Sequence, residues 1–258
     1  MKNETIAKTL LVATTLCVAC SILVSSAAVA LKPIQEKNKL LDAQKNILEA
    51  AGLMTEGGDI TALFSQVEVK LIDIETGKLT EAVDAKTFDA KKAAKNPDLS
   101  IKIDQSNDIA KIKRRAKYAN VYLVNKDGKL DTVILPLYGK ALWSTMYAFV
   151  ALKSDGSTVK GFTFYEHGET PGLGGEVDNP LWKKQWPGKK MFDDKQNLKI
   201  HVLKSKVNLS DPEAVHQIDG LGGATLTTRG VENLIRYWMG KDGFAPFLEN
   251  LRKGEING

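Results

Sequence analysis

Cysteine is nearly absent from this chain. Of 258 residues only Cys17 and Cys20 carry a thiol, and both sit inside one apolar run near the amino terminus. Everything after that run folds without disulfides, whichever compartment holds it. A C-x-x-C pair suggests redox or metal chemistry in a soluble βαβ setting, but on an apolar helix it reads as two small, buried, inert side chains. Histidine is almost as scarce: His167, His201 and His216 show no metal-ligand spacing, so no bound metal is expected. Two phosphate-binding motifs are missing as well. No lysine follows Gly223 before the helix starts, which excludes a P-loop, and Gly172-Leu-Gly174-Gly175 lacks the third glycine of the dinucleotide fingerprint and opens no obvious helix. No acid–base dyad is evident, and no catalytic residue is assigned. The formal net charge of +5 comes from lysines scattered among acidic residues, so nucleic acid is not an expected partner. The one dense basic run, Lys111-Ile-Lys-Arg-Arg115-Ala-Lys117, reads as a solvated helix face; contact with membrane phosphates or an acidic partner subunit is the less favoured alternative.

What the chain does have is a long hydrophobic segment. Thr9 to Leu31 is uncharged over 23 residues. As a helix it would span roughly 34 Å, enough to cross a bilayer with some tilt. Ala28-Val29-Ala30 has the small-residue form of a signal cleavage site, but a signal h-region is usually only about 7–15 residues, so we read the segment as a retained anchor. Lys2 and Lys8 before it, and Lys32, Lys37 and Lys39 after it, leave the orientation undecided by charge alone.

Three polar, glycine-containing stretches carry the chemistry. In Asp219-Gly-Leu-Gly222-Gly223-Ala224-Thr225-Leu226-Thr227, one hydroxyl follows two glycines and precedes an amphipathic helix. Glycine permits close approach of a bulky group, and the start of a helix offers unpaired N–H groups and a positive dipole end to a phosphate. Thr225 is then either a phosphate ligand or the atom esterified by one; an ordinary turn before an ordinary helix is the bland alternative. Val231, Leu234, Ile235 and Trp238 form the helix's apolar stripe, with Thr227 or Thr228 expected as N-cap and Gly240 at C′. Upstream, Tyr165-Glu-His167-Gly-Glu169-Thr170-Pro-Gly-Leu173-Gly174-Gly-Glu176 is too glycine-rich for regular structure. Its backbone, with Glu169, Thr170 and Leu173, suits the edge of a flat heterocycle, and a ligand-free surface loop is the alternative. Third comes Gly139-Lys-Ala-Leu142-Trp143-Ser-Thr-Met146-Tyr147, where Trp143 and Met146 can wall a pocket or fill a core.

In this order the three stretches closely resemble the covalent FMN-binding domain in the C subunit of the sodium-translocating NADH:quinone oxidoreductase, a domain shared with the G subunit of the Rnf-type electron transport complex. The likeness runs over nearly the whole chain and is sharp from about residue 138 to 250. It implies FMN joined through its phosphate to Thr225 by a flavin transferase that uses FAD as donor. The rest of the cofactor set would be Asp219, Gly222, Gly223, Ala224, Leu226, Thr227, Trp143, Glu169, Thr170, Leu173 and Gly174. Gly222 departs from the family pattern, which has Ser or Thr there. The resemblance further implies a single-pass subunit of the bacterial inner membrane with its main domain in the periplasm. That subunit is not catalytic alone, and relays electrons between an iron–sulfur-bearing and an FMN-bearing membrane subunit of a sodium-pumping NADH:ubiquinone reductase. The Rnf-type subunit, and an anchored binding module with no redox role, are the alternatives.

Read for organisation, residues 1–8 form a cytoplasmic tail, 9–31 the transmembrane helix, 32–56 a connecting helix and 57–258 the FMN-binding domain. Lys32-Pro33 is expected to end the first helix and Gly52 the second, which would pack Leu40, Leu41, Ile47, Leu48 and Ala51 on one side. A short helix at 60–66 and a strand at 67–74 precede a polar region of helix and loop at 80–107. A β-meander follows, with strands at 118–124, 131–135, 145–152 and 158–165 and a hairpin at Lys126-Asp-Gly128. A short helix at 179–186 and a strand at 199–203 complete an α+β domain, a twisted antiparallel sheet with packed helices.

Overall fold

A computed structural model describes residues 5–55 and 57–256; residues 1–4 (Lys2 among them), Glu56, which borders the expected boundary at 56–57, and the last two residues lie outside it. The chain divides into two compact units between Ala43 and Gln44.

The first unit holds most of α1 (Ile6–Ala51). The expected break at Lys32-Pro33 does not occur, and the segment expected as a separate helix continues the first. Proline removes one N–H and crowds the carbonyl four residues back, yet Pro33 lies inside the helix because the sequence favours helix on both sides of it. Cys17 and Cys20 are exposed rather than buried, and Leu40, expected on the packed side, is 61% exposed. The helix is long and apolar enough to cross a membrane.

In the second unit α1 ends with Ile47, Leu48, Ala50 and Ala51 buried. Gly52 takes φ 69° while the Leu53 N–H reaches the Leu48 carbonyl at 2.9 Å, the left-handed stop expected there. Then come α2 (Ile60–Phe64), β1 (Val67–Asp73), α3 (Ala90–Ala93), β2 (Ser100–Lys102) and β3 (Arg114–Ala116). The meander follows: β4 (Tyr118–Lys126), β5 (Lys129–Lys140), β6 (Thr145–Lys153) and β7 (Val159–Glu166). The sheet is antiparallel throughout, in the order β1-β4-β5-β6-β7. Asp127 at φ 54° and Gly128 at φ 73° give the β4–β5 turn the twist that matches its strands.

One face of the sheet, with Val121, Leu135, Leu137 and Ala148, packs on α5 (Thr225–Trp238) and α6 (Ala245–Arg252). The other, with Ile134, Phe149 and Ala151, packs on the end of α1. Cover on both faces explains why β5 and β6 carry continuous buried runs rather than clean alternation.

Four local expectations are corrected. The Lys111–Lys117 run is a turn followed by β3, not a helix: the Asp108 carboxylate accepts the N–H groups of Ile112 and Lys113 at 2.8 and 2.7 Å, which diverts them from a helical ladder. Gly174–Asp178, expected to be irregular, is a 3-10 turn leading to α4 (Pro180–Lys183), because Thr170's carbonyl gathers the N–H groups of Leu173 and Gly175. The strand near residue 200 is only β8 (His201–Val202), and it pairs in parallel with β9 (Gln217–Ile218). Finally, Gly240 follows the end of α5 without adopting a left-handed φ.

Candidate functional site

The three stretches singled out in the sequence converge on one buried carboxylate. Glu169, 5% exposed, accepts with Oε1 from the backbone N–H groups of Trp143 (2.9 Å) and Ser144 (3.0 Å) and from the Ser144 hydroxyl (3.2 Å). With Oε2 it accepts from the Thr227 hydroxyl at 2.7 Å, a contact between residues 58 positions apart. Burial pushes this carboxyl's pKa up, but the combined donors from Thr227, Trp143 and Ser144 outweigh it and hold the group below its ordinary value. His167 braces the same loop: its Nδ1 accepts from the Glu169 N–H at 3.2 Å, which places the ring proton on Nε2, 2.8 Å from Asp178. A Cβ on Gly174 would lie 2.6 Å from the Thr227 hydroxyl oxygen, so glycine is what lets the loop close over the carboxylate.

The expected cap of α5 is corrected here. The helix begins at Thr225 with Ala224 as N-cap, and no side chain caps it. Thr227 and Thr228 lie within the first turn, buried, because their hydroxyls have other partners. Thr227 serves Glu169, while Thr228 donates to the Ala224 carbonyl and accepts from the Leu221 N–H, both at 3.1 Å. The start of the helix is therefore free to meet an anion. Thr225 itself is exposed, and no side-chain hydrogen bond reaches it among the described residues. On the same three stretches, Leu142 (41%), Trp143 (65%), Leu173 (44%) and Leu226 (55%) are exposed apolar side chains. Leu173 sits 3.1 Å from where a Cβ on Gly223 (φ 71°) would be. Gly222 has neither a left-handed φ nor any atom within 4 Å of where a Cβ would stand, so its departure from the Ser/Thr pattern is not demanded by the backbone.

Gly230 fixes how closely α5 approaches the Trp143 turn, since a Cβ there would stand 2.7 Å from Ala141 Cα. A glycine inside a helix ordinarily costs about 1 kcal/mol against alanine. Gly230→Ala is nonetheless expected to lower the urea midpoint and spread the site; an unchanged or raised midpoint would show that this close packing has no such importance.

Not every expected residue meets the node. Thr170 contributes its carbonyl to the turn, and its side chain is exposed. Asp219 is engaged elsewhere: its carboxylate accepts from the Val207 N–H at 2.7 Å and its carbonyl accepts from Trp182 Nε1, on α4, at 2.9 Å. Sequence reasoning missed Ser144 and His167 as braces of Glu169, although both lie in the stretches it quoted. It also missed a cleft of 520 Å³ lined by Thr225, Lys204, Arg229, His201 and Glu232. Arg229, four residues after Thr225, shares its helix face, which was the available clue.

Residues 142–240, which span this constellation, match the FMN-binding domain family. The chain is 53% identical to the C subunit of the Na(+)-translocating NADH-quinone reductase of Pseudomonas aeruginosa over 257 residues, covering 98% of each. It belongs to the family of these C subunits. The counterpart from Vibrio vulnificus is 47% identical, covering 99% of each chain. Among solved structures, NqrC from Shewanella oneidensis superposes with a TM-score of 0.76 at 40% identity, covering 82% of this chain and 97% of that one. The C subunit from Parabacteroides distasonis gives 0.66 at 25%, covering 84% and 96%. Membership therefore extends over almost the full length of the chain, and other subunits of a multi-subunit complex are its partners.

Proposed function

We propose that this protein is the electron-transfer C subunit of a sodium-translocating NADH:quinone reductase, and that it carries FMN as a phosphoester on Thr225. One observation carries the reading: an exposed hydroxyl at the uncapped start of α5, a helix that Thr227 ties to the buried Glu169 and so to the two other stretches, which carry exposed apolar side chains. The residues fit such a group. Leu142, Trp143, Leu173 and Leu226 offer apolar surface for a flat ring system, the free N–H groups of the helix start suit a phosphoryl oxygen, and Arg229 and Lys204 supply positive charge from the adjoining cleft. When bound, the flavin supplies the redox chemistry, while the chain supplies position and electrostatics. Glu169 and Thr227 hold the two loops at fixed separation, and a covalent tether keeps the cofactor in place in every redox state.

No carboxylate or imidazole hydrogen-bonds the Thr225 hydroxyl within the described residues. That supports maturation by a separate flavin transferase: the Thr225 oxygen–phosphorus bond forms as the pyrophosphate bond of FAD breaks, AMP leaves, and the hydroxyl proton passes to the transferase. The apolar part of α1 serves as the membrane anchor, with the amino terminus in the cytoplasm and the main domain in the periplasm. An iron–sulfur-bearing subunit and an FMN-bearing subunit then flank this chain in the electron path. Peptide mass mapping of the chain from its native membrane tests the assignment. FMN mass on the peptide containing Thr225 is expected; an unmodified peptide from cells with an active transferase would overturn it.

A further inference from the structure

We propose that a second, basic cleft, between α3, the Lys111–Arg114 turn and the ends of β5, β6 and β7, is the docking surface for an acidic segment of another subunit of the complex. The cleft has a volume of 620 Å³ and shares no lining residue with the one beside Thr225. Lys91, Lys95, Lys111, Lys113 and Arg114 line it against a single carboxylate, Glu166. Two of these cations are already engaged. Lys91 lies 2.6 Å from Glu166 and 3.5 Å from the centre of the Tyr147 ring, and the Arg114 guanidinium donates to Ser100 Oγ at 3.0 Å. Lys95, Lys111 and Lys113 are exposed and have no ion-pair partner among the described residues. Three ammonium groups around one concavity repel one another, and the arrangement is stabilised when a neighbour brings negative charge.

The backbone adds an independent observation. Lys111 (φ 54°) and Lys113 (φ 65°) are both left-handed, a conformation costly for a side chain of this size, and Asp108 pins the turn by accepting from Ile112 and Lys113. Glycine or asparagine would relieve that cost, yet lysine stands at both places and lines the cleft at both. The three cations without an ion-pair partner are lysines on flexible stems, and the one guanidinium, that of Arg114, is held by Ser100, the pattern of electrostatic steering more than of a tight small-ligand site. Tyr138 and Tyr147 supply the aromatic wall common at protein interfaces.

The inference rests on the chain being a subunit of a larger complex and is independent of the flavin ester. Zero-length carbodiimide coupling of the purified complex tests it, because the reagent joins a lysine amine to a carboxylate only where the two touch, taking up the water released. Lys95, Lys111 or Lys113 is expected in an amide with an Asp or Glu of another subunit, located by mass spectrometry. The triple variant Lys95→Glu, Lys111→Glu, Lys113→Glu is expected to keep its thermal midpoint and its flavin fluorescence, yet to assemble with at least about tenfold lower yield. Equal amine labelling of these lysines in the complex and in the isolated chain, or assembly of the variant at full yield, would overturn the proposal. Protection of the lysines by anionic lipid vesicles alone would also overturn it and assign the surface to the membrane. Loss of fluorescence in the wild-type chain would instead refute the ester at Thr225 and leave the cross-linking result standing.

Discussion

Thr225→Ala abolishes the fluorescent band that this chain is expected to give under ultraviolet light after denaturing electrophoresis. The effect is all-or-none, because an ester needs an oxygen and no other hydroxyl shares the position. Thr227 and Thr228 are the nearest alternatives by sequence, but both are buried, one bonded to Glu169 and the other to the Ala224–Leu221 turn. The same substitution is expected to leave stability within about 0.5 kcal/mol, since Thr225 is exposed and alanine suits a helix. Fluorescence that survives in the variant, or moves to Thr227, would refute the assignment. A large fall in the urea midpoint would make the loss uninterpretable as chemistry, so both measurements belong together.

Glu169→Ala is expected to produce the largest fall in stability among the site residues. It leaves the part-buried N–H groups of Trp143 and Ser144 and the buried Thr227 hydroxyl without their acceptor. An abandoned buried donor costs about 1–3 kcal/mol; only the Thr227 hydroxyl is fully buried, the two N–H groups are part-buried, and the costs do not add fully, so a loss of roughly 2–4 kcal/mol is expected. Chemical denaturation measures it, and a loss below about 1 kcal/mol would show that the node does not hold the loops together. Glu169→Gln keeps one acceptor oxygen and should fall between the two. The node also sets an acid dependence. Because the folded carboxyl is held below its ordinary value of 4.5, its contribution is complete above that pH and is lost as the pH falls through the lowered range. The difference in thermal midpoint between wild type and Glu169→Gln is therefore expected to be constant near neutrality and to shrink below about pH 4.5. A difference that widens on acidification would contradict the direction of the shift.

The correction at the start of α5 bears on both results. A threonine before an apolar stripe is ordinarily a cap, and local propensity favours Thr227 or Thr228 in that role. Their hydroxyls instead tie the helix to the Glu169 loop and to its own preceding turn, which moves the start back to Thr225 and leaves its N–H groups uncapped. The lysine turn shows the same competition. Charge pattern alone reads 111–117 as a helix face, and Asp108, three residues before the run, captures the N–H groups that a helix needs.

By itself the sequence determined whatever depends on neighbours along the chain. That covers the apolar run of 9–31, the β4–β5 hairpin at Asp127-Gly128, the stripe Val231, Leu234, Ile235 and Trp238, and the order of the three stretches. Periodicity, turn chemistry and motif spacing are local and can be read without coordinates. Only the tertiary structure decided which donors Glu169 gathers, that Asp219 accepts from Val207 and Trp182, that Pro33 lies within an unbroken helix, and that lysines from α3 and the 111–113 turn face one cleft. Those outcomes turn on which of several distant groups reaches a given carboxylate or hydroxyl first, and spacing along the chain holds no record of that competition.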